Sequence, residues 1–351
     1  MKVESLYVLL YKWYMINFPL SFINNNEMGK IYIFVCLLFF LSCVGKKREI
    51  DTVRYVKHLF VDNFADSIFL SQVKNLQVYN GNLYFSDNYL SQIFEVDKKF
   101  NRYRIMGNHG EGPNDFVALR TLTVVDDSIY AFDAGRYSLF VYDLEGSNCR
   151  KYDFSKYSIY PAYRFVIDEN HYQVQYRGKE GIFMDIDLNS KQTCIWGNLT
   201  HFGCEKQERI RNNRNVFKFE NFYILISNNI PVVEFYDRNN KEIKKMIDYS
   251  DVGVIQNVLF ENDNNLDVNS YHVVVQDTYI DGEKLYILMN GNNPNDGYNV
   301  NKILEISLSG NDEINQIIQL PGKLYESFCV DNDTIYAFNS QSSSIELLVR
   351  E

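Results

Sequence analysis

Six polar side chains in this 351-residue chain stand at the starts of similar short segments: Asn75, Arg120, Arg164, Arg214 or its neighbour Asn215, His272, and Tyr325 or its neighbour Glu326. If the segments are arranged about an axis, these residues form a polar ring with several cationic members. A guanidinium binds carboxylate or phosphate through two parallel hydrogen bonds. The ring is therefore a candidate ligand-binding site for an anionic glycan or a peptide carboxylate. The competing reading has the arginines paired with neighbouring Asp and Glu, stapling the fold.

Catalytic signals are sparse. Neither HExxH nor GxSxG occurs, so no catalytic residue is assigned. The alternative to a binding protein is a hydrolase or lyase acting on a glycan or peptide, with Arg120 or Arg164 holding substrate charge and His272 shuttling the proton. His272 with Glu326 supplies two metal ligands where three or more are needed, and Asp263 and Asp267 lack the spacing of an EF-hand loop. No metal and no cofactor is expected. Asp133, Asp143, Asp187 and Asp237 follow aromatic or aliphatic runs at strand ends and read as turn caps.

The elements that would carry the ring are short alternating strands. Residues 128–143, SIYAFDAGRYSLFVYD, form two such strands around an Asp-Ala-Gly-Arg turn. One hairpin is marginal in water and needs neighbours to bury its faces. Related hairpins recur, each with an aromatic in its second strand: Tyr84, Tyr130, Tyr172, Tyr223, Tyr286 and Tyr336. A repeat near 50 residues made of four antiparallel strands is a propeller blade, and six units predict a six-bladed β-propeller, an all-β fold. The sixth unit lacks a fourth strand, and an alternating strand at 53–60 lacks a partner. The N-terminal strand is therefore expected to close the last blade and leave no unpaired edge at the seam.

A formal net charge of -10 argues against nucleic acid as a partner, which needs clustered Lys and Arg. Six cysteines show no CxxC spacing. Cys194 and Cys204 are placed to bridge a loop, although free thiols explain them equally well.

Residues 31–42, IYIFVCLLFFLS, form an apolar run preceded by Lys30. It is too short to span a membrane and has the length of a signal-peptide core. Residues 40–43, FLSC, resemble a bacterial lipobox, with Phe40 where Leu or Val is usual, and make Cys43 the lipidation site. The expected organisation is a start-site extension over 1–27 (or an amphipathic segment), a lipoprotein signal peptide over 28–42, a polar tether over 43–52 and the six-bladed propeller over 53–351. A lipid on Cys43 would anchor the protein to a membrane without a spanning helix. This places it in the cell envelope, at the outer membrane, with the face left open.

The segment GNHGEGPNDF, residues 107–116, completes the picture. Together with the lipobox and the hairpins, it resembles the six-bladed propeller lipoproteins of Bacteroides-type bacteria, related to NHL-repeat propellers, whose usual form is G-x-G-x-G-P-x-E-F. Asn108-His109 lengthens the motif by one residue and Asp115 replaces the usual Glu. The resemblance implies a fold and brings no catalytic residues. Physically, the glycines and Pro113 turn the chain from one blade to the next and Phe116 can plug the wedge between them. The function expected is a membrane-anchored binding or scaffold propeller in envelope glycan or peptide handling, with a glycan, a peptide or an envelope protein as partner.

Overall fold

The computed structural model describes residues 50–64, 68–203, 205–264, 270–293, 297–310 and 313–351. The signal segment, Cys43, Cys204 and Asp267 lie outside the described residues. The chain is an all-β propeller of six four-stranded antiparallel blades.

Strand β1 (Thr52–Val61) comes first, then a two-stranded ribbon of β2 (Asn63–Phe64) and β3 (Ile68–Phe69). Blade 1 is β4 (Val73–Tyr79), β5 (Asn82–Asp87), β6 (Gln92–Asp97) and β7 (Tyr103–Met106). Blade 2 is β8 (Leu119–Val125), β9 (Ser128–Asp133), β10 (Ser138–Asp143) and β11 (Cys149–Asp153). Blade 3 is β12 (Val166–Asp168), β13 (His171–Gln175), β14 (Phe183–Asp187) and β15 (Thr193–Trp196), followed by helix α1 (Glu205–Arg211). Blade 4 is β16 (Arg214–Phe219), β17 (Phe222–Ser227), β18 (Val232–Asp237) and β19 (Ile243–Asp248), followed by α2 (Gln256–Asn264). Blade 5 is β20 (Val275–Asp281), β21 (Lys284–Asn293), β22 (Gly297–Ser307) and β23 (Ile314–Gln319). Blade 6 is β24 (Tyr325–Asp331), β25 (Thr334–Asn339) and β26 (Ser344–Arg350), completed by β1.

The closure uses one strand twice. From Tyr55 onward β1 runs antiparallel to β26, as the complementary ends predict. Its first residues also pair in parallel with β23, Thr52 opposite Ile317 and Arg54 opposite Gln319. The outer strands of blades 5 and 6 are thereby joined, and neither is left as an open edge at that point.

The hydrophobic core is divided among the blade interfaces. Six separate buried clusters each draw residues from two neighbouring blades. Phe116 lies at one of them, fully buried between Tyr84 and Ile93 of blade 1 and Leu122 and Phe140 of blade 2. Gly107 has φ +71, and a Cβ there would lie 2.4 Å from the Phe116 ring. Arg136 donates to the carbonyls of Gly110, Gly112 and Asp115 and holds the connecting loop closed. The segment 107–116 is thus a structural wedge.

The aspartates at strand ends are loop clamps. Asp143, Asp187 and Asp237 each accept bonds from backbone N–H groups two to five residues ahead. Asp133 is fully buried and accepts from Gly135 and also from Val117 and Ala118, the residues entering blade 2. Asp87 does the same for Ser71 and Gln72 at the entry to blade 1.

Blades 3 and 4 are stapled by charge. Asp168 receives Lys218 Nζ at 2.6 Å, Tyr223 Oη at 2.7 Å and the Arg238 guanidinium at 2.6 Å. Burial alone would raise the Asp168 pKa. The bonds from Lys218, Tyr223 and Arg238 outweigh that and hold it down at about 2. Because the folded pKa is depressed, the stabilisation is present above about pH 4 and is lost as pH falls from there through 2. Asp168→Asn should lower the unfolding free energy at pH 7 by roughly 2 kcal/mol and flatten its slope between about pH 4 and pH 2, as read by urea unfolding across that range.

Candidate functional site

The inner strands of the blades line a central channel. At the end where those strands begin, a cavity of about 250 Å³ is lined by residues of every blade, among them Lys74, Asn75, Arg120, Tyr163, Arg164, Asn215, Gln276, Asp277, Glu326 and Ser327. A small irregularity of the strands helps to build this mouth. In four of the six blades the inner strand carries a register shift at the mouth: between Lys74 and Gln77, Leu119 and Thr121, Val275 and Asp277, and Tyr325 and Ser327. A bulge re-aims a side chain that regular alternation would turn into the blade. The residues in these bulges include Asn75, Arg120, Gln276 and Glu326, and all four line the mouth. Asn75 has φ +56, a left-handed conformation that Asn tolerates.

Below the mouth the channel is crossed by an ion pair. Arg164 Nε and Nη2 donate to the two carboxylate oxygens of Asp277, each at 3.2 Å. Both side chains are largely buried, 7% and 11% exposed. Asp277 also accepts from Ser327 Oγ at 2.9 Å and from the Phe328 backbone N–H. Arg164 Nη2 donates to the Leu76 carbonyl, and the Arg164 backbone N–H donates to Asn215 Oδ1. The guanidinium lies between the rings of Phe217 and Tyr279. One pair therefore ties blades 1, 3, 4, 5 and 6 at the waist.

The mouth itself has mixed electrostatics. Lys74 pairs with Glu326 at 2.9 Å, and both are about one-third exposed. Arg120 is exposed and has no carboxylate within ion-pair distance among the described residues. Burial raises the Tyr163 phenol pKa, so the group acts as a neutral hydroxyl. Asn75 and Asn215 use their carbonyl oxygens on the backbone N–H groups of Leu122 and Arg164, which turns the Asn75 amide NH2 away from that bond.

Of the residues singled out from sequence, Asn75, Arg120 and Arg164 come together at the mouth, whereas Arg214, His272 and Tyr325 do not. Arg214 is 1% exposed inside blade 4 and is held by Glu234 and Ser227. Its neighbour Asn215 takes the mouth position. Tyr325 is buried against Glu346, and Glu326 takes the mouth position. His272 precedes β20, because the inner strand of blade 5 starts at Val275 and not at His272. It faces Glu261 of α2 at 3.4 Å. It lies off the mouth lining, so the proton-shuttle role drawn for it has no partner there. Among the described residues no group of three His, Cys, Asp or Glu is placed to hold a metal, and Cys149, Cys194 and Cys329 are free. No described helix is long and apolar enough to cross a membrane.

Sequence reasoning missed Asp277, which lay hidden by the misplaced start of its strand. It also missed Ser327, Gln276 and Tyr163. Tyr130, Tyr286 and Tyr336 each stand ten residues after a mouth residue, namely Arg120, Gln276 and Glu326, and a constant offset would have found Gln276 and chosen Glu326 over Tyr325.

Comparison with known proteins agrees with this architecture. A family model described as a 6-bladed beta-propeller matches residues 63–187. An exported protein of Bacteroides fragilis is 11% identical, with a TM-score of 0.57 over 86% of this chain and 99% of the other. An auxiliary nutrient binding protein from Bacteroides thetaiotaomicron is 10% identical, with a TM-score of 0.50 over 82% of this chain and 71% of the other. At these identities the likeness is one of fold. No curated protein matches the sequence.

Removing one partner of the waist pair leaves the other charge buried and uncompensated. Asp277→Asn should destabilise the protein by about 3–5 kcal/mol, and Arg164→Met in the same chain should recover much of the loss. Denaturant unfolding of the single and double variants measures both.

Proposed function

We propose that this protein is an envelope-anchored binding propeller that takes a short acidic glycan, through a carboxylated sugar, at the mouth carrying Arg120. The observation that carries this reading is the contrast among the three cations there. Lys74 and Arg164 are committed to Glu326 and Asp277, and Arg120 faces the same cavity without such a partner among the described residues. An exposed guanidinium in a polar recess is suited to a carboxylate.

The surrounding amides favour a sugar over a peptide terminus. Gln72, Asn75, Asn228 and Gln276 offer both donors and acceptors around one small cavity, a pattern that matches several hydroxyl groups. Tyr163 adds a ring and a hydroxyl to the wall. The cavity of about 250 Å³ is below the range of roughly 300–1,000 Å³ usual for drug-sized ligands and suits one or two sugar units. An envelope location is supported by the signal-like run before Cys43 and by the fold likeness to an exported and a nutrient binding protein.

Isothermal titration of the purified chain with a digalacturonate should give saturable binding that a neutral digalactose does not reproduce. Arg120→Gln should weaken it about tenfold or more, the worth of one charge-assisted hydrogen bond. Absence of binding, or an unaffected Arg120→Gln variant, contradicts the assignment. In bacteria expressing the full chain, Cys43→Ser should move the protein from the membrane fraction to the soluble fraction. Unchanged fractionation would rule out Cys43 as the anchor.

A further inference from the structure

The waist pair leaves a second chamber at the opposite end of the channel. On five blades its lining comes later along the inner segments than the lining of the first mouth, as with Gln77 after Asn75 and Tyr279 after Asp277. Arg164 belongs to both walls and Asp277 to the first alone, so the Arg164 side chain is the boundary the two chambers share. The second is larger, about 540 Å³, within the size range of small-molecule sites.

Its character is different. Valines, isoleucines and aromatic residues make up ten of its sixteen lining residues, and Phe217 and Tyr279 both face the Arg164 guanidinium. Asp126 and Glu220 lie at the lining, and its one lysine, Lys218, is already bound by Asp168 at 2.6 Å. An anion is therefore disfavoured, in contrast with the first mouth.

Two donors mark where a ligand would be held. Gln77 Oε1 accepts the Val124 backbone N–H at 3.1 Å, which fixes the orientation of the amide. Its Nε2 is then buried with no acceptor among the described residues. A buried donor without an acceptor costs about 1–3 kcal/mol, so a group that accepts from it is favoured. Tyr279 Oη accepts from the Val78 backbone N–H at 3.3 Å, which leaves its own proton free to donate. Burial raises the Tyr279 pKa, so that proton is retained.

We infer that the second chamber binds an uncharged small molecule of mixed polarity through a carbonyl that accepts from Gln77 Nε2 and Tyr279 Oη. The site is independent of the acidic-glycan reading, since it uses other residues on the far side of the waist.

The uncharged dye Nile red, a planar aromatic bearing a ring carbonyl, is a direct probe for the full chain. Its emission should shift to the blue in a saturable one-to-one titration. Gln77→Glu keeps the oxygen that accepts from Val124 and replaces the donor with an acceptor, so it should weaken binding about tenfold. Arg120→Gln should leave the titration unchanged. If Gln77→Glu melts early, Tyr279→Phe is read instead, with binding expected to weaken at least threefold. A titration that does not saturate, or one that the readable variant leaves unchanged, places the dye elsewhere, such as on the exposed Phe60 and Phe69, and overturns the inference.

Discussion

An ion pair drawn across the channel is the constraint on which the rest of this propeller depends. Taking a carboxylate and a guanidinium out of water costs several kcal/mol per ion, and the cost is offset only when geometry is good and the remaining polar atoms are satisfied. Arg164 and Asp277 meet that condition through two parallel bonds, helped by Ser327, the Phe328 N–H and the Leu76 carbonyl. A lysine could not reproduce the arrangement, because its ammonium is a point charge without the planar fork. The pair also requires the inner segments of blades 3 and 5 to reach the axis at the same depth, which sets their register in turn.

With the waist fixed, the two ends of the channel can differ. The apolar core sits in six wedges between blades, so the channel side chains carry little of the packing. Polar groups can therefore occupy the mouth, and the bulges deliver Asn75, Arg120, Gln276 and Glu326 into it without disturbing the wedges behind. The ring itself is closed at the outside by β1, which pairs with both β26 and β23.

Much of this fold was legible in the sequence, for physical reasons. Period-2 alternation and repeated Asx and Gly turns mark the strands, and complementary deficits at the two ends identify β1 as the closing strand. The parallel pairing of its first residues with β23 left no such mark. The site was legible only in part. Tyr172 and Tyr223 occupy the second position of their strands, whereas Tyr84, Tyr130, Tyr286 and Tyr336 occupy the third. A slip of one residue turns a side chain to the opposite face, and the sequence could not choose between Arg214 and Asn215, of which Asn215 reaches the mouth. Bulges shift parity in the same way, which favoured Tyr325 over Glu326. In blade 5 the run 271–275, YHVVV, has the aromatic and β-branched composition of a strand, and this moved the expected site to His272 and concealed Asp277.

The central claim is that Arg164 and Asp277 close the channel into two chambers. The most direct measurement is the Nε–Hε resonance of Arg164 in a ¹H–¹⁵N spectrum of the full chain, assigned by its disappearance in Arg164→Lys. A resolved cross-peak that exchanges slowly with water and does not move with added salt is the predicted result, because the bond is buried and weakly screened. A signal that exchanges as fast as that of an exposed arginine, or that shifts with salt, would show the waist open and contradict the account.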